Sequence, residues 1–233
     1  MLHAPNFALG LGLDIHIRTK IRYGYSYIEL AALKIGNDIL EVSSWGEYSV
    51  NGVGKADMEQ AQLGPFSVGY QPISEREHIF DVYITKKEKI RVRTFKDLVN
   101  IRFYHASPEN YHNCGGLLGA FTEGLDSPDQ EHGTSVGRDG RTIIEDPIAF
   151  GMEWQVHPDH EPNLFKTNRH PVYPQQCLMP DPAVASRRRL GEATVTKAAA
   201  EAACADWEDN TREHCVYDVM STGDLELAEA GSY

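Results

Sequence analysis

Between residues 13 and 104 the chain reads as a succession of short runs in which one face is apolar and the other polar. Ile15, Ile17, Thr19 and Ile21 alternate with His16, Arg18, Lys20 and Arg22. Phe80, Val82 and Ile84 repeat the pattern. Ile90 and Val92 alternate with Arg91 and Arg93, and Val99, Ile101 and Phe103 with Asn100, Arg102 and Tyr104. A period of two belongs to a strand, whose successive side chains leave opposite faces of the backbone. Asn51-Gly52 follows the apolar-polar run 47–50 and favours a tight turn, because both residues tolerate positive φ. Short, closely spaced strands with one polar face each predict a mainly β fold, with antiparallel sheets packed as a sandwich. The alternating Arg and Lys residues are read as a solvated face. A polyanion-binding stripe is the competing reading.

The chain has 233 residues, enough to bury a core in one large domain or in one domain with a small appendage. Its net charge of -12 is unevenly spread. Residues 1–105 carry 13 Lys+Arg against 12 Asp+Glu, while residues 106–233 carry 9 against 22. The acidity of the second half argues against a nucleic-acid partner, which requires a basic surface. No run of about 18 apolar residues is present, so no transmembrane helix is expected. The N-terminal MLHAPNFALGLGLDIHI lacks a basic n-region and a small-residue cleavage site, which makes it a poor signal peptide.

Residues 106–147 are rich in Gly, Asp, Ser and Pro and read as loop. Six prolines lie between 158 and 182, which predicts an extended, irregular tail. Residues 183–190, with Arg187-Arg188-Arg189, read as an exposed linker. Residues 192–209 are alanine-rich without Gly or Pro and predict a helix with an apolar stripe of Val195, Ala199, Ala202, Cys204 and Trp207. A second helix is expected over about 212–220, and Thr222-Gly223-Asp224 is suited to start a third.

Three sets of residues bear chemistry. Glu123, Asp126, Asp129, Glu131 and Asp139 fall within 17 glycine-punctuated positions. Calcium takes six to eight oxygen ligands from such loops, although the spacing is not that of an EF-hand. Cys114, Cys177, Cys204 and Cys215 form no C-x-x-C pair, which weighs against a zinc ribbon or thioredoxin-like site. Four cysteines allow three pairings, with buried thiols as the alternative. His157-Pro158-Asp159-His160 has the outline of a metal half-site, but Pro158 breaks the helix that would align the two imidazoles. Ser107, Ser127 and Ser135 sit in no G-x-S-x-G context, and no phosphate-binding glycine loop is present. Among the aromatics, Trp154 reads as a core anchor rather than a ligand platform.

The ordered run NCGGLLGAFTEGLDSPDQEHGTSVGRDGRTIIEDPIAFGMEWQV, residues 113–156, resembles the second half of a von Willebrand factor type D domain. There a Gly-Leu-X-Gly-X-Phe turn is followed by an acidic loop and a "DG…DP…FG…W.V" run. The run CADWEDNTREHCVYDVMSTGDLELAEAG, residues 204–231, resembles the cysteine-bearing segment that often follows such a domain. The resemblance implies a β domain over 1–182, a linker over 183–191 and a helical segment over 192–233. It also implies a truncated N-terminus, with one or two opening strands missing. Type D domains commonly hold calcium in the loop after Gly-Leu-X-Gly. Here Ala120 stands at an Asn-ligand position and cannot ligate, which leaves Thr122, Glu123, the Leu125 carbonyl, Asp126 and Asp129 as the implied ligand set. A Cys204–Cys215 bridge is expected to staple the helical segment. In the family, the cysteine after the Trp pairs with one on an early strand. Cys177 fills the first role, but the early strand is missing here, which leaves Cys177 either orphaned or paired with Cys114.

The function expected from these readings is that of a non-catalytic, extracellular or cell-surface module of a longer secreted protein. It would serve assembly or adhesion through contacts with other extracellular proteins or with domains of the same parent chain. The alternative is a glycan- or polyanion-binding β-sandwich that uses the basic strand faces. A metal-dependent hydrolase built on His157, His160 and the acidic loop is a third reading.

Overall fold

The computed structural model describes residues 1–22, 25–54, 58, 61–117, 119, 135–156, 163–166, 195–207 and 209–231. The chain divides into two compact units. The first comprises Met1–Thr19 and Ile28–Leu178, the second Lys20–Tyr27 and Met179–Tyr233.

The first unit is mainly β and antiparallel, as the alternation predicts. One sheet orders its strands β12-β1-β2-β3-β4-β5-β6. These are β1 Leu2–Ala4, β2 Leu13–Arg22, β3 Tyr25–Ile35, β4 Asp38–Ser43, β5 Tyr48–Val50, β6 Val53–Gly54 and β12 Gly115–Gly116. The other sheet orders its strands β11-β10-β9-β8-β7: β7 Gln62–Leu63, β8 Phe66–Ser74, β9 Glu77–Tyr83, β10 Lys89–Phe95 and β11 Leu98–Tyr104. The Asn51-Gly52 turn forms as expected, with φ of 53° and 83°, and it pairs Val50 with Val53. The Asn51 side chain also accepts from the Ile39 amide at 2.8 Å, which ties this turn to β4.

Apolar residues from both sheets merge in one core. Leu33, Ile35, Leu40 and Val42 come from the seven-stranded sheet, and Val68, Phe80, Val82, Ile90 and Val92 from the five-stranded one. Phe7 and Tyr111 are fully buried and meet edge to face, with centroids 5.6 Å apart. Burying such large side chains contributes on the order of 2–3 kcal/mol each.

The polar faces depart from the period-two expectation. In β3, Leu30, Ala31, Ala32 and Leu33 are all buried, and in β4 so are Ile39, Leu40, Glu41 and Val42. Both faces of these strands are covered. Leu164 and Phe165 pack on the second face with Leu30, Ala32 and Ile39, inside the stretch expected to be an irregular tail. His16 and Glu41 point to that covered face and receive backbone N–H groups of the covering segment. The Leu164 amide donates to His16 Nδ1 at 3.4 Å, and the Lys166 amide to Glu41 Oε2 at 2.8 Å. Buried polar groups need such partners. A segment distant in sequence therefore turns an alternating strand into one with two dry faces.

One helical piece stands where loop was expected, and a second begins where that loop ends. A turn of helix at Pro108–Tyr111 is capped by Ser107, whose hydroxyl accepts from the Asn110 amide. Helix α1, Pro147–Glu153, starts at the Asp146-Pro147 pair. Asp146 is its N-cap and accepts from the Ala149 amide at 2.7 Å, while Pro147 occupies the first helical position, where a missing N–H costs nothing.

In the second unit, helix α2 runs Lys197–Ala203 with Thr196 as N-cap, and α3 runs Asp209–Thr222. The Leu225–Gly231 segment is a 3-10 helix and follows Thr222-Gly223-Asp224 as foreseen. Helix α2 is shorter than the alanine-rich run, and its dry side is Val195, Ala200 and Cys204, with Ala202 exposed. Among the described residues, no helix is long and apolar enough to cross a membrane.

Candidate binding groove at Trp45

Strand β4 leads into β5 through a short loop that contains a 3-10 turn at Ser44–Gly46. The Ser43 amide donates to the Glu47 carbonyl at 2.8 Å, which closes the loop on itself. Trp45 and Gly46 lie in succession at φ of 67° and 74°. Glycine tolerates that region, but a tryptophan there costs on the order of 1 kcal/mol and persists only where its surroundings hold it. Two tethers to the β10–β11 hairpin do so. The Trp45 amide donates to the Lys96 carbonyl at 2.8 Å, and its indole Nε1–H donates to Asp97 Oδ1 at 2.8 Å. Gly46 fits closely as well, since a Cβ on it would fall 2.1 Å from the His78 ring. The loop thus clasps one sheet to the other.

Despite these tethers, Trp45 remains 49% exposed. Beside it opens a groove of about 300 Å3 lined by Arg18, Glu29, Leu30, Ser43, Ser44, Trp45 and Glu47. Arg18 Nε donates to Glu29 Oε1 at 2.9 Å across the β2–β3 pair, so the wall carries an ordered ion pair. Ser43 Oγ reaches Glu47 Oε2 at 3.5 Å. The lining therefore combines an aromatic ring with paired charges and hydroxyls and carries a net charge of -1, from one Arg and two Glu. Sequence reading missed this site because exposed tryptophans carry no local signature. The one available sign was Trp45 followed by Gly46 at the end of a strand.

On the five-stranded sheet the basic residues are matched by acids. Asp81 Oδ1 accepts from Arg91 Nε at 2.7 Å, and its Oδ2 from Lys89 Nζ at 2.9 Å. Burial by itself would raise the Asp81 pKa, but these two cations hold it below the usual carboxylate value. Lys89 and Arg91 also lie over the Tyr104 ring, at 5.1 and 5.3 Å from its centroid. Arg93 is buried and bridges Glu77, with Nη2–Oε1 at 2.7 Å. These strand-borne arginines are therefore paired rather than simply solvated.

The motif around residues 135–156 folds as a clasp. Trp154 is buried and donates from Nε1 to the Val136 carbonyl at 3.0 Å, the core-anchor role expected for it. The Arg138 guanidinium lies 5.3 Å from the Trp154 ring, and its Nε donates to the Glu153 carbonyl at 2.6 Å. Asp139 uses both carboxylate oxygens within its own turn, accepting from the Arg141 and Thr142 amides and from the Thr142 hydroxyl. The Thr142 hydroxyl and these amides lower its pKa to about 2. The remaining members of the acidic set, Thr122, Glu123, Leu125, Asp126, Asp129 and Glu131, lie outside the described residues, as do His157, His160 and Cys177. Cys114 is buried. Among the described residues, no three His, Cys, Asp or Glu side chains converge in a metal-holding group.

Cys204 and Cys215 form a disulfide, with Cα atoms 6.0 Å apart. Trp207 donates from Nε1 to the Ala228 carbonyl at 2.8 Å and closes the 3-10 segment onto the stapled helices. Tyr27 donates to Asp218 Oδ1 at 3.4 Å, and burial raises the Asp218 pKa above 3.8.

No protein-family model matches the chain, and a search of curated proteins returns no match.

Proposed function

We propose that the chain is a non-catalytic extracellular module, akin to a von Willebrand factor type D domain, that mediates protein–protein assembly or adhesion. The Cys204–Cys215 bridge carries this reading. Such bonds persist in oxidising compartments and are rare in reducing ones. The antiparallel sheets and the clasp at 135–156 support it as well. In that clasp Asp146 caps a helix, Asp139 closes its own turn, and Arg138 and the buried Trp154 donate to backbone carbonyls. Calcium belongs to this proposal as a structural ion of the loop holding Thr122, Glu123, Leu125, Asp126 and Asp129. Asp139, already saturated by its own turn, leaves ligation to those residues.

The test is non-reducing peptide mapping of the chain recovered from the medium of a secreting host, followed by capture of secreted proteins on the immobilised chain. A linked Cys204–Cys215 peptide and retention of an extracellular protein that reduction abolishes are expected. Free thiols at both positions, or no retained extracellular protein, would overturn the reading. Calorimetric titration with calcium, then EDTA, tests the ion: a saturable, reversible heat is expected, and a flat titration removes calcium from the proposal.

A further inference from the structure

The groove beside Trp45 is not used by the assembly reading, and its features belong together. The indole is the large exposed aromatic of the β4–β5 loop, held by the backbone tether to Lys96 and the side-chain tether to Asp97. A half-exposed ring kept in a left-handed conformation by two tethers is pre-organised, and a ligand meeting it loses little further freedom. The adjoining cavity of about 300 Å3 sits at the small end of ligand-site volumes, roughly 300–1,000 Å3. Its polar lining is Arg18, Glu29, Ser43, Ser44 and Glu47, which offers donors and acceptors side by side.

We infer that this groove is a binding site for a neutral saccharide, with one pyranose ring stacked on Trp45 and its hydroxyls directed at Glu29, Glu47 and the serines. A pyranose ring has one face of C–H groups that suits an indole and a rim of vicinal hydroxyls, each both donor and acceptor. A groove that is apolar on one wall and densely polar on the others matches that division. The net charge of the lining and the pairing of Arg18 with Glu29 disfavour a sulfated or otherwise anionic sugar. A cationic peptide would gain from Glu47 but would leave the hydroxyl-rich wall unmatched. This inference does not rest on the assembly reading: the same groove would serve any β-sandwich.

The experiment follows the Trp45 indole N–H resonance of the full chain by NMR, assigned with Trp45→Phe, during titration. The probes are the methyl glycosides of glucose, N-acetylglucosamine, galactose and mannose, with a heparin tetrasaccharide and a lysine-rich peptide as contrasts. At least one neutral glycoside is expected to shift that resonance with an affinity around the millimolar level, typical of weak single-ring ligands. In these variants, which lack the indole reporter, the titration is followed on the backbone amides of Ser44, Gly46 and Glu47: Trp45→Ala is expected to weaken that affinity by roughly tenfold or more, while Trp45→Phe, which keeps a ring, loses less. If Trp45→Ala does not fold, the wild-type titration with Trp45→Phe still decides. No displacement by any neutral glycoside at saturating concentration, a response confined to heparin or to the peptide, or an undiminished affinity in Trp45→Ala would each overturn the inference.

Discussion

His16 occupies a position that period two assigns to water, and the fold buries it to 3% exposure. Burial lowers its pKa from 6.5 to about 4, with the N-terminal ammonium, Arg138 and Lys34 acting in the same direction and Asp14 opposing them. The folded chain therefore holds a neutral imidazole between these values, whereas the unfolded chain protonates it below 6.5. Stability falls as pH drops from about 6.5 to about 4, then levels off once both states are protonated. The expected loss is up to about 3 kcal/mol. Denaturant unfolding of wild type and His16→Gln at pH 7 and pH 4.5 checks this, because the variant should lose less over the interval. Asp218 works with the opposite sign. Its raised pKa means the folded state keeps a proton that the unfolded state releases, so stability falls as pH rises through the region just above 3.8. Asp218→Asn is expected to unfold at higher denaturant than wild type at pH 7 and to lose that advantage near pH 3. An equal or lower midpoint at pH 7 would refute the assignment.

Among the elements, the helices show how local chemistry and long-range closure divide the labour. Thr196 and Asp146 cap their helices by accepting from the amide three residues on, a pattern visible in sequence once the helix start is known. The short α2 gains little from propensity alone, since isolated helices of that length are marginal in water. Its persistence depends on Cys204 being bound to Cys215 on α3 and on the burial of Val195, Ala200, Val219 and Leu227. In the loop-entropy treatment a bridge spanning eleven residues contributes about 2–3 kcal/mol. Reduction, or the paired change Cys204→Ser with Cys215→Ser, is expected to raise amide hydrogen exchange throughout α2 and α3 and to leave the core strands β9 and β10 protected. Uniform deprotection of β9 and β10 by the same change would contradict this division.

For the whole molecule, electrostatics decides between two uses of the same alternating strands. Counted from sequence, residues 1–105 are nearly neutral, yet their arginines fall in rows that suggest a cationic stripe. In the fold Arg18 meets Glu29, Arg91 meets Asp81 and Arg93 meets Glu77. Anion attraction through these faces is cancelled at close range, and the acidic second half adds repulsion. The chain is expected to leave a heparin column at or below physiological salt. Retention well above it would restore the polyanion reading. Within residues 135–156 the clasp is held by Arg138, Asp139 and Trp154. Each of these side chains bonds backbone groups of the same segment.

Strand periodicity, the Asn51-Gly52 turn, the burial of Trp154 and the Cys204–Cys215 staple were legible in the chain because each depends on neighbours a few residues away or on a side chain's own chemistry. The Trp45 clasp, the covering of His16 and Glu41 by residues 164–166, and the pairing of strand cations with acids were not. Those depend on which distant segments meet, through sheet order and register. A one-dimensional pattern specifies which face of a strand is apolar but not what is laid over the polar one. Only the closed fold decides whether an arginine meets water, a carboxylate or the face of an indole.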